Sequence, residues 1–291
     1  METIHQIWEL FPYAVMGSII AGIICAFLGN FVISQKVVFL GAVLTQVSIA
    51  GVAFSFLHFV NLESILSIFF GNQLDKQFIH NFEPLFFSLL FAVICVLIFS
   101  QTFTQKYLTQ DGILGIIFVT AISARIMFIQ KSPVAEVSEI ESILKGDILF
   151  IGKPEFYTLL IVMLVIVLIF IIFQKQLKFV TFDPETAIAH GINSKLWLLL
   201  FYLIVGMGIS ITTRFVGDVF AFAFLIIPPS IGILLGKKII NVFIISALVG
   251  ALIPPVSLYF AFKLDFSSGP TAVILAFGLL LITYLIKKIR A

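Results

Sequence analysis

Charge is scarce in this sequence, at 11% of residues, and histidine and cysteine are scarcer still, with four and two copies in 291 positions. Soluble domains run nearer a quarter charged and half apolar, so a chain that is 61% hydrophobic with a mean hydropathy of +1.19 is excluded from that class. The net charge of +2 argues against a nucleic-acid partner. Cys25 and Cys95 each lie inside an apolar run, which excludes a disulfide framework and leaves no thiol pair for a metal. The histidines, His5, His58, His80 and His190, show no ligand spacing, and there is no HExxH motif or glycine-rich phosphate loop. An intramembrane enzyme is therefore a poor reading. The N-terminal stretch lacks a basic segment, so no cleaved signal peptide is expected, and Trp8 and Tyr13 read as interfacial anchors.

What is abundant is the long apolar run. A helix needs about 20 mostly apolar residues to cross a bilayer. Nine stretches qualify: Pro12–Ile33, Val38–Val60, Pro84–Phe99, Ile113–Ile129, Tyr157–Phe173, Leu196–Ile211, Val219–Leu235, Ile239–Phe262 and Pro270–Ile286. The third and fourth are short, so the expected fold is all-α with eight or nine transmembrane helices in a single domain spanning residues 1–291. The run LESILSIFF is too short to cross and reads as interfacial or re-entrant.

Ten loop and tail cations fall on one side, among them Lys36, Lys106, Lys175, Lys178, Lys195, Lys237 and Lys238, against six spread over longer loops on the other. By the positive-inside rule the first side is cytoplasmic, which puts the N-terminus outside and the C-terminus inside. The loop at about 174–195 is then cytoplasmic, and its polar stretch TFDPETAIAHGINSK interrupts two apolar runs. Asp183 supplies a cap, Pro184 a first helical residue and Glu185 an acid near the positive dipole end, with Gly191 placed to stop a short helix. A plain surface turn fits the same pattern. A capped cytoplasmic helix, however, is what a membrane domain needs to take force from a soluble partner.

Ionisable groups within spans are the default functional suspects. Arg125 suits a helix contact or snorkelling. Arg214 and Asp218, four apart, read as a mutually neutralising pair at an outer mouth. LIIPPS and LIPPVS put paired prolines inside two late spans, which suits kinked helices. With so few buried charges an ion-coupled relay has little to run on, and energy from a cytoplasmic ATPase is the better expectation.

The residues resemble the permease subunits of ATP-binding-cassette importers for zinc, manganese and iron. VFLGAVLTQVSIAGVAFSFL, ESILKGDILFIG, FDPETAIAHGINSKLWLLLFYLIVGMGIS, RFVGDVFAFAFLIIPPS and LDFSSGPTAVILAF are similar to that family's segments in its order. The resemblance implies a metal-type importer permease fold in the cell membrane. It also implies a second permease copy, a cytoplasmic ATPase subunit that uses the ATP, and an extracytoplasmic substrate-binding protein. No cofactor is expected on this chain. ATPase coupling falls to Asp183, Pro184, Glu185, Ala189 and Gly191, and the translocation pathway to Thr45, Gln46, Gly51 and Pro228. One departure stands out. Where the family's second span carries an aspartate and, four residues on, a histidine, this chain has Ala42 and Gln46. A neutral amide competes poorly for zinc or manganese, so the expected cargo is a divalent metal or a metal complex, with His58 and Asp218 as fallback ligands. The rivals are an ion-gradient-driven secondary transporter, a membrane scaffold, and the same fold carrying a non-metal solute.

Overall fold

The computed structural model of the chain describes residues 9–57, 76–101, 109–132, 148–182 and 193–290. Among these every regular element is helical: α1 (Pro12–Ser34), α2 (Val38–Ser55), α3 (Lys76–Gln101), α4 (Gln110–Lys131), α5 (Lys153–Ile172), α6 (Gln174–Phe182), α7 (Ser194–Val216), α8 (Asp218–Leu235), α9 (Ile239–Leu264) and α10 (Ser268–Arg290), with a short 3-10 turn at Ile148–Phe150. All but α6 contain a stretch long and apolar enough to span a bilayer, so the described residues carry nine candidate spans, in the order the apolar runs predict. The run LESILSIFF, the stretch from Asp183 to Gly191 and His58 lie outside the described residues.

The helices sort into two groups that meet along a seam. In one, α2 packs on α3 and α4, and α7 packs on α3. In the other, α1 packs on α9 and α8, α10 packs on α8 and α9, and α5 lies along α1. The most enclosed spans are α1 and α2, at 72% and 78% buried residues, whereas α4 and α5 are at 17%. That contrast explains where small residues sit, because buried helices must let several neighbours approach at once.

The paired prolines account for how α8 and α9 dock on α1. A proline removes the hydrogen bond to the carbonyl four residues earlier. Pro229 thus frees the Leu225 carbonyl and Pro254 frees that of Gly250. The Leu225 carbonyl lies against Gly29 of α1 and the Gly250 carbonyl against Gly22, so close that a Cβ at either glycine would collide with it. The proline rings rest on the same two glycines. Freed carbonyls facing glycine Cα hydrogens make weak hydrogen bonds, and proline and glycine together form a docking pair. Nearby, Ser246 of α9 donates to Asn30 Oδ1 of α1 at 3.1 Å. Ser88 of α3 and Ser210 of α7 share a buried hydrogen bond of 2.6 Å. An aromatic cluster of Phe27 and Phe31 with Phe170 and Phe243 fills the space between α1, α5 and α9.

The apolar pattern does not announce α6, which occupies the first part of the 174–195 loop. Leu177, Val180 and Thr181 are buried at i, i+3 and i+4, so α6 lays one face on the bundle. Its C-terminal end is held by Gln35, just past α1. The Gln35 amide donates to the carbonyls of Val180 at 3.3 Å and Thr181 at 2.9 Å.

Candidate functional site

A cavity of about 440 Å³ opens along the seam, bounded by α2, α4, α8 and α10. Its walls are mostly apolar: Phe118 of α4, Phe222, Ile226 and Ile227 of α8, and Val273 of α10. Among the described residues its polar side chains are Thr45, Gln46 and Asp218. Thr45 and Gln46 follow Ala42 on one turn of α2, and Ala42 also lines the wall. The Thr45 hydroxyl donates to the Ala42 carbonyl at 2.8 Å, which leaves its lone pairs as the group it can offer the cavity.

Asp218 is placed by a break in the chain. Gly217 alone separates α7 from α8 and has φ 83°, in the left-handed region that a side chain disfavours. Asp218 therefore opens α8, where a carboxylate is favoured by the helix dipole. Its Oδ1 accepts from the Val219 backbone N–H at 2.7 Å. Its Oδ2 accepts from the Gln46 amide at 2.9 Å and faces Arg125 Nη1 at 3.7 Å. Arg125, on α4, donates to Gln46 Oε1 at 3.1 Å. The amide thus bridges the two charges, accepting from the cation and donating to the anion. Both ionic side chains are largely enclosed, at 23% exposure for Arg125 and 15% for Asp218. The cluster ties α4 and α2 of one group to α8 of the other.

This corrects the pairing that sequence spacing suggests. Asp218 takes Arg125 and Gln46 as partners, not Arg214. The i, i+4 rule presupposes one continuous helix, and the turn at Gly217 ends α7 between the two residues. The Arg214 guanidinium instead sits 6.0 Å from the Phe215 ring centroid. Arg125 falls on the side of the alternative that has it fix a helix contact.

The other expected site residues divide. Thr45 and Gln46 line the cavity, and Asp218 joins them. Gly51 does not line it. It is buried at the contact of α2 with α3, where an added Cβ would lie 2.5 Å from the Phe87 carbonyl oxygen. Pro228 is buried inside an unbroken α8, one residue after the cavity-lining Ile227. His58 lies outside the described residues, as do Asp183, Pro184, Glu185, Ala189 and Gly191. Among the described residues no three His, Cys, Asp or Glu side chains gather as a metal site would need. A larger cavity of about 660 Å³ between α1, α5, α6 and α9 has, among the described residues, Gln174 as its one polar lining side chain, and so these residues offer little to a polar cargo.

Comparison with known proteins agrees over almost the whole chain. The chain is 25% identical to a probable iron transport system membrane protein of Haemophilus influenzae, covering 94% of this chain and 88% of the relative. It is 27% identical to the manganese transport system membrane protein MntD of Bacillus subtilis, covering 87% and 84%. Among solved structures, PsaBC from Streptococcus pneumoniae in complex with Fab shares the fold, with a TM-score of 0.78 at 21% identity over 97% of this chain and 94% of that one. The family pattern of the ABC 3 transport family matches residues 8–287. This multi-pass membrane protein is a member of the ABC 3 transport family.

Proposed function

We propose that the chain is the membrane-spanning permease subunit of an ATP-driven importer whose cargo is a transition metal such as manganese, iron or zinc, either free or complexed. The observation that carries this reading is the seam cavity with Thr45, Gln46 and Asp218 on its wall, in a member of a transport family whose relatives are described as manganese and iron transport proteins. The permease itself hydrolyses nothing and holds no cofactor. ATP is consumed by a separate cytoplasmic ATPase subunit that grips the Asp183–Gly191 stretch, while a substrate-binding protein delivers cargo from outside. A second copy of the permease completes the pathway. The face bearing Lys36, Lys175, Lys237 and Lys238 is cytoplasmic, which leaves the N-terminus outside and the C-terminus inside.

The test is uptake of radiolabelled manganese, iron and zinc into vesicles holding the permease with its ATPase and binding protein. ATP-dependent accumulation of a metal is expected. Accumulation by the lone chain, driven by an ion gradient, would overturn the reading in favour of a secondary transporter. In the same vesicles the double substitution Asp183→Lys, Glu185→Lys should cut uptake by about tenfold or more, because reversing two charges at a docking site opposes the partner's own charges. The spans are untouched by these changes, so the purified variant should remain a single, monodisperse species. Unchanged uptake would remove the coupling role from this stretch.

A further inference from the structure

The seam cavity is a poor host for a naked ion, and the reasons are chemical. A divalent manganese or zinc ion that gives up its water needs four to six nitrogen, oxygen or sulfur ligands. Among the described residues the wall of one copy offers three polar side chains, and two of them are engaged, so even two copies facing each other would add only a second Thr45 hydroxyl not committed to another side chain. Gln46 spends its carbonyl on Arg125 and its amide on Asp218. The Asp218 carboxylate is shared among the Val219 N–H, the Gln46 amide and the Arg125 guanidinium. Arg125 thus stands where a metal's charge would be useful, already balancing the one carboxylate. An ion that keeps its water is no better matched. Six waters at about 30 Å³ each fill less than half of a cavity of about 440 Å³. The rest of the wall, led by Phe118, Phe222, Ile226 and Ile227, gives that water nothing to bond.

From this geometry we infer that the cavity takes its metal as an organic chelate, and that Arg125 is the residue that sets this specificity by occupying, as a built-in cation, the Gln46 and Asp218 acceptors a bare ion would need. The inference rests on the metal-import reading and specifies the form of the cargo. A chelate brings its own ligand set, so it asks the wall only for apolar contact and a few hydrogen bonds. The aromatic and branched side chains supply the first, and the Thr45 hydroxyl oxygen and the second N–H of the Gln46 amide supply the second.

The full chain in lipid nanodiscs is titrated with manganese ion alone and with ferric tris(acetohydroxamate), a small neutral complex. Binding of the complex, with manganese at least about tenfold weaker in the natural protein than in Arg125→Gln, is the expected result, since a charge-assisted contact competes at about that level. Arg125→Lys keeps the charge and should stay as insensitive to manganese as the natural protein, which separates the electrostatic role from simple packing. Manganese binding to the natural protein as tight as to Arg125→Gln, or failure of the complex to bind at all, overturns the inference. The same probes are then followed as uptake by the assembly with ATPase and binding protein. Manganese uptake without uptake of the complex would sink the chelate inference and leave the importer standing. Uptake of neither probe, nor of free iron or zinc, by an assembly that hydrolyses ATP would sink both.

Discussion

At the scale of single residues, the same residue type does unrelated work at neighbouring positions, and the backbone decides which. Gly51 lies one helical turn and a little more beyond Gln46, yet Gln46 meets the cavity while Gly51 meets the Phe87 backbone of α3. A pathway glycine and a packing glycine predict different outcomes on substitution. Gly51→Ala forces a methyl group to 2.5 Å from a carbonyl oxygen, inside normal contact, so α2 and α3 must separate. The cost should be about 1–3 kcal/mol, the usual range for overpacking. It would appear as a lower melting temperature in detergent, with the ranking of metal probes unchanged in vesicles. A variant of full stability with an altered ranking would return Gly51 to the pathway. Asp218 shows the opposite case. Sequence singles it out correctly as a charge inside a span but assigns it the wrong partner, because only three dimensions reveal that Arg125, 93 positions earlier, is nearer than Arg214.

Elements were legible where burial alone decides and obscure where a partner decides. The nine spans follow from hydropathy, and the main boundary error is at α3, which begins at Lys76, two turns before the proline that looked like its start. There the helix carries a polar extension that hydropathy does not register. The prolines of α8 and α9 stand out in the sequence as pairs, and α1 carries Gly17, Gly22 and Gly29. Their mutual purpose is not visible there, since Gly29 meets Leu225 and Pro229 only after folding. The case of α6 is similar: QKQLKFVTF places only Leu177 and Val180, beside the polar Thr181, on the face it buries, a pattern too short to announce a helix. It matters because α6 leads directly into the Asp183–Gly191 stretch, and Gln35 fixes its end to the end of α1. Motion imposed on the stretch would therefore reach α1 through these two bonds. Gln35→Ala removes both, at about 1 kcal/mol each. Amide exchange across residues 174–182 should quicken, and ATP hydrolysis in the assembly should lose part of its dependence on cargo. Exchange at the natural rate would mean that burial of Leu177 and Val180 alone holds α6 in place.

For the whole molecule, the two helix groups and the seam between them give the permease a definite front. The cavity is bounded by α2, α4, α8 and α10, with Val219 beside it at 51% exposure, whereas α5 stands on the far side of α1 with Ile161 at 59%. If two copies build one pathway, the cavity faces must meet and α5 must face lipid. Cysteine chemistry can decide this cleanly, because the natural Cys25 and Cys95 are buried at 1% and 3% exposure and are shielded from added oxidant. Val219→Cys should form a disulfide-linked dimer in membranes under mild oxidation, provided the two α-carbons come within about 7 Å. Ile161→Cys should stay monomeric under the same treatment. Cross-linking through Ile161, with Val219→Cys inert, would turn the molecule around and leave each seam cavity facing lipid. A shared aqueous pathway could not be built from that arrangement, since the ion pair of Asp218 and Arg125, with the Gln46 amide between them, would then border hydrocarbon on the side where water or cargo should enter.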